Sequence, residues 1–129
     1  MKKLFLISCC LFFSYASELI VYNNLDEAKI FAIKENKPIA LYVYSSNCHW
    51  CKRMEQFVFS DEEIKKELNE HYIFVKLNKD IDKIPQELIP RFVPTTYILN
   101  KNQEEHFAIY GYKKSTQVLE YLKELRLEF

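Results

Sequence analysis

Two cysteines separated by two residues, in Cys48-His49-Trp50-Cys51, are the part of this sequence best suited to chemistry. A thiol attacks a disulfide only as its thiolate, so a reactive pair needs surroundings that lower one cysteine pKa. Cys48 falls where a turn, Ser45-Ser46-Asn47, leads into a helix. The unpaired N–H groups and macrodipole of a helix N-terminus favour an anion there. His49 adds positive charge when protonated, and Lys52 and Arg53 follow at once. Cys51, one turn in, is expected to be more shielded. The expected division of labour is Cys48 as attacking nucleophile and Cys51 as the residue that resolves the mixed disulfide.

Other uses of the pair fit less well. Covalent haem attachment needs Cys-x-x-Cys-His, and Lys52 occupies the last place. A structural zinc site takes four ligands. His71 and His106 are distant in sequence and read as ordinary surface or strand positions. No metal site is assigned, although two thiolates suit a soft ion such as Cu(I). A structural staple is also disfavoured, because the loop closed by so near a pair is tiny and the entropic gain grows with loop length.

The motif has to be held by the elements around it. Residues 19–22 read as a short strand, and Asn24 is placed to cap a helix from Leu25, with Asp26 and Glu27 at its positive end. Leu25, Ala28, Phe31 and Ala32 share one face of that helix, which Pro38 follows. The continuous apolar run 39–44 predicts a central strand buried on both faces. The helix that carries the motif continues through Met54, Phe57 and Val58. Ser60 and Glu63 read as a capping box restarting helix through Leu68. Residues 72–77 predict a strand, and Pro85 and Pro90 leave room for at most a short helix between them. Strands at 95–99 and 106–110 form a hairpin. Ser115 caps a last helix with Val118, Leu119, Leu122 and Leu125 on one face. The order β-α-β-α-β-α-β-β-α implies an α/β fold: a mixed central sheet with helices on both faces.

At 129 residues, 49% apolar and 16% aromatic, the chain supports one domain with a packed core. Lys plus Arg, 18, balances Asp plus Glu, 18, so no basic excess points to nucleic acid. One Gly and four Pro leave no linker or low-complexity stretch. Met1-Lys2-Lys3, the apolar run from Leu4 to Phe13 and Ser14-Tyr15-Ala16 have the order of an export signal with a small-x-small cleavage site. The run is shorter than the ~20 residues needed to span a bilayer. Residues 1–16 are therefore assigned as a signal peptide cleaved after Ala16, and residues 17–129 as the exported domain. Leu6-Ile7-Ser8-Cys9 offers an alternative, a lipoprotein box anchoring the chain at Cys9, but its apolar stretch is short and continues past the cysteine. Cleavage after Ala16 removes Cys9 and Cys10 and leaves only Cys48 and Cys51.

The stretch from Tyr44 to Lys52 resembles the active-site region of thioredoxins. The run Cys51-Lys52-Arg53-Met54-Glu55-Gln56-Phe57-Val58-Phe59-Ser60-Asp61 is more specifically similar to the C-terminal periplasmic domain of the transmembrane thiol-disulfide interchange protein, the DsbD type. Phe92-Val93-Pro94-Thr95-Thr96 resembles the Val/Ile-Pro-Thr loop of that superfamily, and Tyr110-Gly111 its late glycine. The match covers roughly residues 20 to 127. It implies a thioredoxin fold and a cis Pro94 beside the cysteine pair. Val93, Pro94 and Thr95 would then contact an extended substrate segment that can pair as an added strand. It also matches Glu55 to a carboxylate that could raise thiol pKa values or accept the proton of Cys51; the alternative is a solvated helix glutamate. Thioredoxins usually carry a buried Asp where this chain has Tyr42, so that proton carrier is missing. Trp50 reads either as a contact platform beside the cysteines or as a cover for the helix end.

Together these readings predict a periplasmic thiol-disulfide oxidoreductase of the protein-disulfide reductase type. It needs no cofactor beyond the Cys48–Cys51 disulfide. His49 and Lys52 tune the thiol. Its partners are protein thiols and disulfides, with a membrane thiol electron donor and apocytochromes c as possible clients by family analogy. The rival readings are a dithiol oxidase and a Cu(I) or soft-metal binding module. The His-Trp dipeptide favours a potential above that of thioredoxin, because stabilising the reduced form makes a pair more oxidising.

Overall fold

The computed structural model describes residues 17–129. The signal peptide assigned to residues 1–16, its cleavage point at Ala16 and the alternative anchor at Cys9 lie outside the described residues.

The apolar run becomes the central strand, β1 (Ile39–Tyr44). On one side it pairs in parallel with β2 (Ile73–Asn78), Ile39 opposite Ile73. On the other it pairs antiparallel with β3 (Thr95–Leu99), which carries the antiparallel edge strand β4 (Glu105–Tyr110). The sheet order is β2-β1-β3-β4. Successive side chains of a strand point to opposite faces, and β1 splits accordingly into two cores. Ile39, Leu41 and Val43 meet Leu25, Ala28 and Ala32 of helix α1 (Leu25–Glu35). Ala40 and Tyr42 face α2 (His49–Phe57), α3 (Glu62–His71) and α4 (Ser115–Leu125). Met54, Ile64, Leu68 and Leu122 are all buried there. Each such side chain contributes roughly 1.5–3 kcal/mol by leaving water. The Tyr72 hydroxyl donates to the Leu122 carbonyl at 2.6 Å and joins the α3–β2 junction to α4. A mixed sheet with helices on both faces is the architecture the sequence implied.

Three local expectations change. The strand expected at residues 19–22 shrinks to a bridge between Tyr22 and Val75. Ile20 and Val21 point into solvent, and the chain turns at once into α1, where Asn24 accepts from the Glu27 N–H. Asp61, not Ser60, caps α3. Its Oδ1 accepts from the Glu63 and Ile64 N–H groups, while the Ser60 hydroxyl donates back to the Gln56 carbonyl and closes α2. Lys114 holds the cap position of α4, and Ser115 is its first helical residue. The short helix between Pro85 and Pro90 is a single 3₁₀ turn, Gln86–Leu88.

Candidate active site

The turn after β1 delivers the cysteine motif to the C-terminal end of the parallel strands. Asn78, buried at the end of β2, donates from Nδ2 to Ser46 Oγ at 3.0 Å, and the Lys79 N–H donates to the Tyr44 carbonyl. The turn is thus held from the neighbouring strand. Cys48 is the N-cap of α2 with an extended backbone, and its sulfur accepts from the Cys51 N–H at 3.1 Å. Helix N-caps are usually Ser, Thr, Asp or Asn oxygens; here a cysteine sulfur takes the role, where the helix dipole favours a thiolate.

Cys48 and Cys51 are joined as a disulfide. Their burial is graded: Cys48 is 9% exposed and Cys51 1%. Beneath them the fully buried Tyr42 donates its hydroxyl to the Cys51 carbonyl at 3.1 Å and packs edge-on against Phe59. Burial, reinforced by Tyr44, pushes the Tyr42 phenol above its ordinary range. It stays protonated and acts as a fixed donor, not a proton carrier.

His49, Trp50 and Lys52 are exposed around the pair, with His49 edge-on to Trp50. Glu55 is about a third exposed and carries an ion pair. Its carboxylate is held by Lys76 of β2, which lies opposite Tyr42 and over the Tyr44 ring. Burial lowers the Lys76 pKa.

The loop before β3 enters from the other side. The Val93–Pro94 peptide is cis, and the Gly111 N–H donates to the Pro94 carbonyl at 2.8 Å. Gly111 has φ 72°, the left-handed region that glycine tolerates best. Val93, Pro94, Gly111, Tyr112 and Trp50 line an open, mostly apolar groove of about 310 Å³. Trp50 is half exposed, with its ring 5.5 Å from Tyr112. Thr95, expected among the contact residues, is 1% exposed and donates its hydroxyl to the Phe92 carbonyl. Its side chain braces the loop from inside. Among the described residues, no cluster of three or more His, Cys, Asp or Glu could hold a metal ion.

Two features escaped the sequence reading. One is the Tyr42 hydroxyl. The other is an aromatic clamp in which the Arg53 guanidinium lies 5.1–5.8 Å from the rings of Trp50, Phe57 and Tyr112. Trp50, Arg53 and Phe57 follow the three- and four-residue spacing of one helix face, a signal available in the sequence.

A family model described as a thioredoxin-like domain matches residues 25–126. Mouse (Mus musculus) spermatogenesis-associated protein 20 is 45% identical over 73 residues, covering 49% of this chain and 9% of that protein. The chain spans less than a tenth of the length of the curated relatives it matches. A thioredoxin from Thermus thermophilus superposes with a TM-score of 0.71 at 22% identity, over 84% of this chain and 88% of that one. The oxidised DsbD C-terminal domain of Neisseria meningitidis gives 0.66 at 18%, over 81% and 98%. Both structural likenesses are likenesses of fold.

Proposed function

This chain belongs to the thioredoxin-like domain family, and on that premise we propose that it is a thiol-disulfide oxidoreductase that reduces disulfides of exported proteins. The observation that carries the reading is the Cys48–Cys51 disulfide at the start of α2, its outer sulfur at the N-cap and its inner cysteine sealed.

In the reduced protein the Cys48 thiolate attacks a client disulfide. A Cys48–client bond forms, the client S–S bond breaks, and one client thiolate leaves. Cys51 then loses its proton and attacks the Cys48 sulfur, which releases the second client thiolate and leaves the protein oxidised. Two electrons pass to the client, and a thiol donor must restore them. A membrane thiol carrier facing the periplasm fits that need, and apocytochromes c are candidate clients. Glu55, one turn beyond Cys51, receives or relays its proton while paired with Lys76. His49 and Lys52 favour the thiolate. Trp50, Val93 and Pro94 contact the client; among the described residues Val93 makes no backbone hydrogen bond, so its N–H and C=O are open to an extended segment.

The test has two parts. Cys48→Ser is expected to abolish disulfide turnover and Cys51→Ser to trap mixed disulfides with clients, read by non-reducing electrophoresis; turnover in the first variant would overturn the roles. The equilibrium potential of the pair, from glutathione titration with alkylation and mass counting, checks direction. A value near the roughly −270 mV of thioredoxin supports reduction, and one near about −120 mV makes the protein an oxidase.

A further inference from the structure

A second open trough of about 360 Å³, lined by Arg53, Phe57, Tyr112, Lys114, Ser115 and Thr116, adjoins the groove beside Pro94 at Tyr112. The two share Tyr112 and together run from the cis peptide, past Trp50, to the start of α4. Their floor is aromatic, and Trp50 and Phe57 are each about half exposed. Large exposed aromatic side chains that cluster mark an interaction surface.

The charge of this strip is one-sided. No carboxylate lines either part. Arg53 and Lys114 line it, with Lys52 and Lys113 adjacent in sequence, and among the described residues none of these four cations forms an ion pair. Arg53 Nε is buried without a hydrogen-bond partner. The chain as a whole is charge-balanced, so the excess is local. Asp80 and Asp82 follow β2 and line neither part, and Asp82 accepts from the Asn78 N–H. A trough that combines aromatic walls with unpaired cations complements an apolar side chain flanked by carboxylates.

We propose that this strip selects its client: an extended polypeptide whose redox-active cysteine is followed or preceded by an aromatic or aliphatic residue and by Asp or Glu, held by Arg53 and Lys114. The inference rests on the oxidoreductase reading and adds a substrate class to it. Planar guanidinium and an unpaired ammonium at one end of an apolar trough bind a carboxylate there, while a Lys-rich client meets like charge.

The experiment uses three peptides, each closed by one internal disulfide and identical except for a flanking pair, Glu-Glu, Gln-Gln or Lys-Lys. Reduced protein is mixed with each, and the second-order rate of peptide dithiol formation is followed at low salt. The Glu peptide is expected to react about ten-fold faster than the Lys peptide, with the ratio falling towards one at high salt as screening grows. Arg53→Gln and Lys114→Glu are each expected to lower the ratio. Because both peptides meet the same enzyme, any change in thiol reactivity cancels. Equal rates in the wild type, or an unchanged ratio in both variants, would overturn the proposal. Equal rates together with a dimer in sedimentation would give the strip to a second copy of the chain, which also overturns it. If the protein reduces neither the peptides nor the neutral hydroxyethyl disulfide, the oxidoreductase reading itself falls and takes the proposal with it. Fast but unselective reduction overturns the client class alone.

Discussion

Glu55 and Tyr42 show how much a single side chain's meaning depends on its partner. Glu55 lies one turn beyond Cys51, a place from which a carboxylate can take a proton, but in the oxidised protein it is engaged by Lys76 over the Tyr44 ring. Glu55→Gln is expected to shift the pH profile of thiol alkylation in the reduced protein. It should cost at most about 1 kcal/mol of stability, since both side chains remain about a third exposed and such pairs are weak. An unaltered alkylation profile would confine Glu55 to the ion pair. The cysteines themselves were legible because their spacing falls between a buried strand and the start of a helix, both readable from pattern. The Tyr42 bond to the Cys51 carbonyl was not, since it depends on which β1 residue lies beneath the first turn of α2. Sequence assigns Tyr42 to the core, which is correct, but does not say where its one polar atom finds a partner.

Elements were legible where several signals agreed and uncertain where two residues could do the same work. The run 39–44, the hairpin and the apolar faces of α1 and α4 are each fixed by pattern and burial together. Ser60 and Asp61 are adjacent and both competent caps; only the backbone decides, and it places Asp61 at φ −66°, ψ 130° with its oxygen toward two N–H groups. Asp61→Ala is expected to lose about 1 kcal/mol, the usual cost of a lost cap. Ser60→Ala should lose less, because its hydroxyl bonds only a carbonyl at an exposed helix end. Chemical denaturation of the two variants checks the order, and a larger loss at Ser60 would return the cap to that residue. The strand at residues 19–22 failed for a different reason. Its residues have strand-forming side chains, but only Tyr22 lies beside β2 before Asn24 starts α1. Propensity does not reveal how many residues a neighbouring strand can accept.

For the whole molecule, the two cores hold phenols whose ionisation burial opposes, and these are expected to set the alkaline limit of the fold. Burial raises the pKa of Tyr42, with Tyr44 adding to it. Burial raises that of Tyr72 as well, with Glu67 and Glu128 adding to it and Arg126 opposing. Burial, then Glu105 and Tyr110, raises that of Tyr97. A group whose folded pKa exceeds its unfolded value contributes stability that is complete below the unfolded pKa, about 10 for tyrosine, and is lost as pH rises beyond it. Lys76 acts with the opposite sign. Its folded pKa is lowered, so folding becomes easier as pH climbs towards the ordinary lysine range of about 10.4, and the gain stops there. Stability is therefore expected to hold to about pH 10 and then fall by about 1.4 kcal/mol per pH unit for each phenol ionised only in the unfolded chain. Melting temperatures of the oxidised protein from pH 8 to 11.5 read this directly. Tyr72→Phe and Tyr42→Phe should each lower the plateau by about 1 kcal/mol for the lost hydroxyl bond. Each should also make the alkaline fall shallower by one proton than in the unsubstituted protein. If the slope above pH 10 in both variants equals that of the unsubstituted protein, the phenols do not set the limit, and the loss belongs to the ion pairs that high pH dissolves.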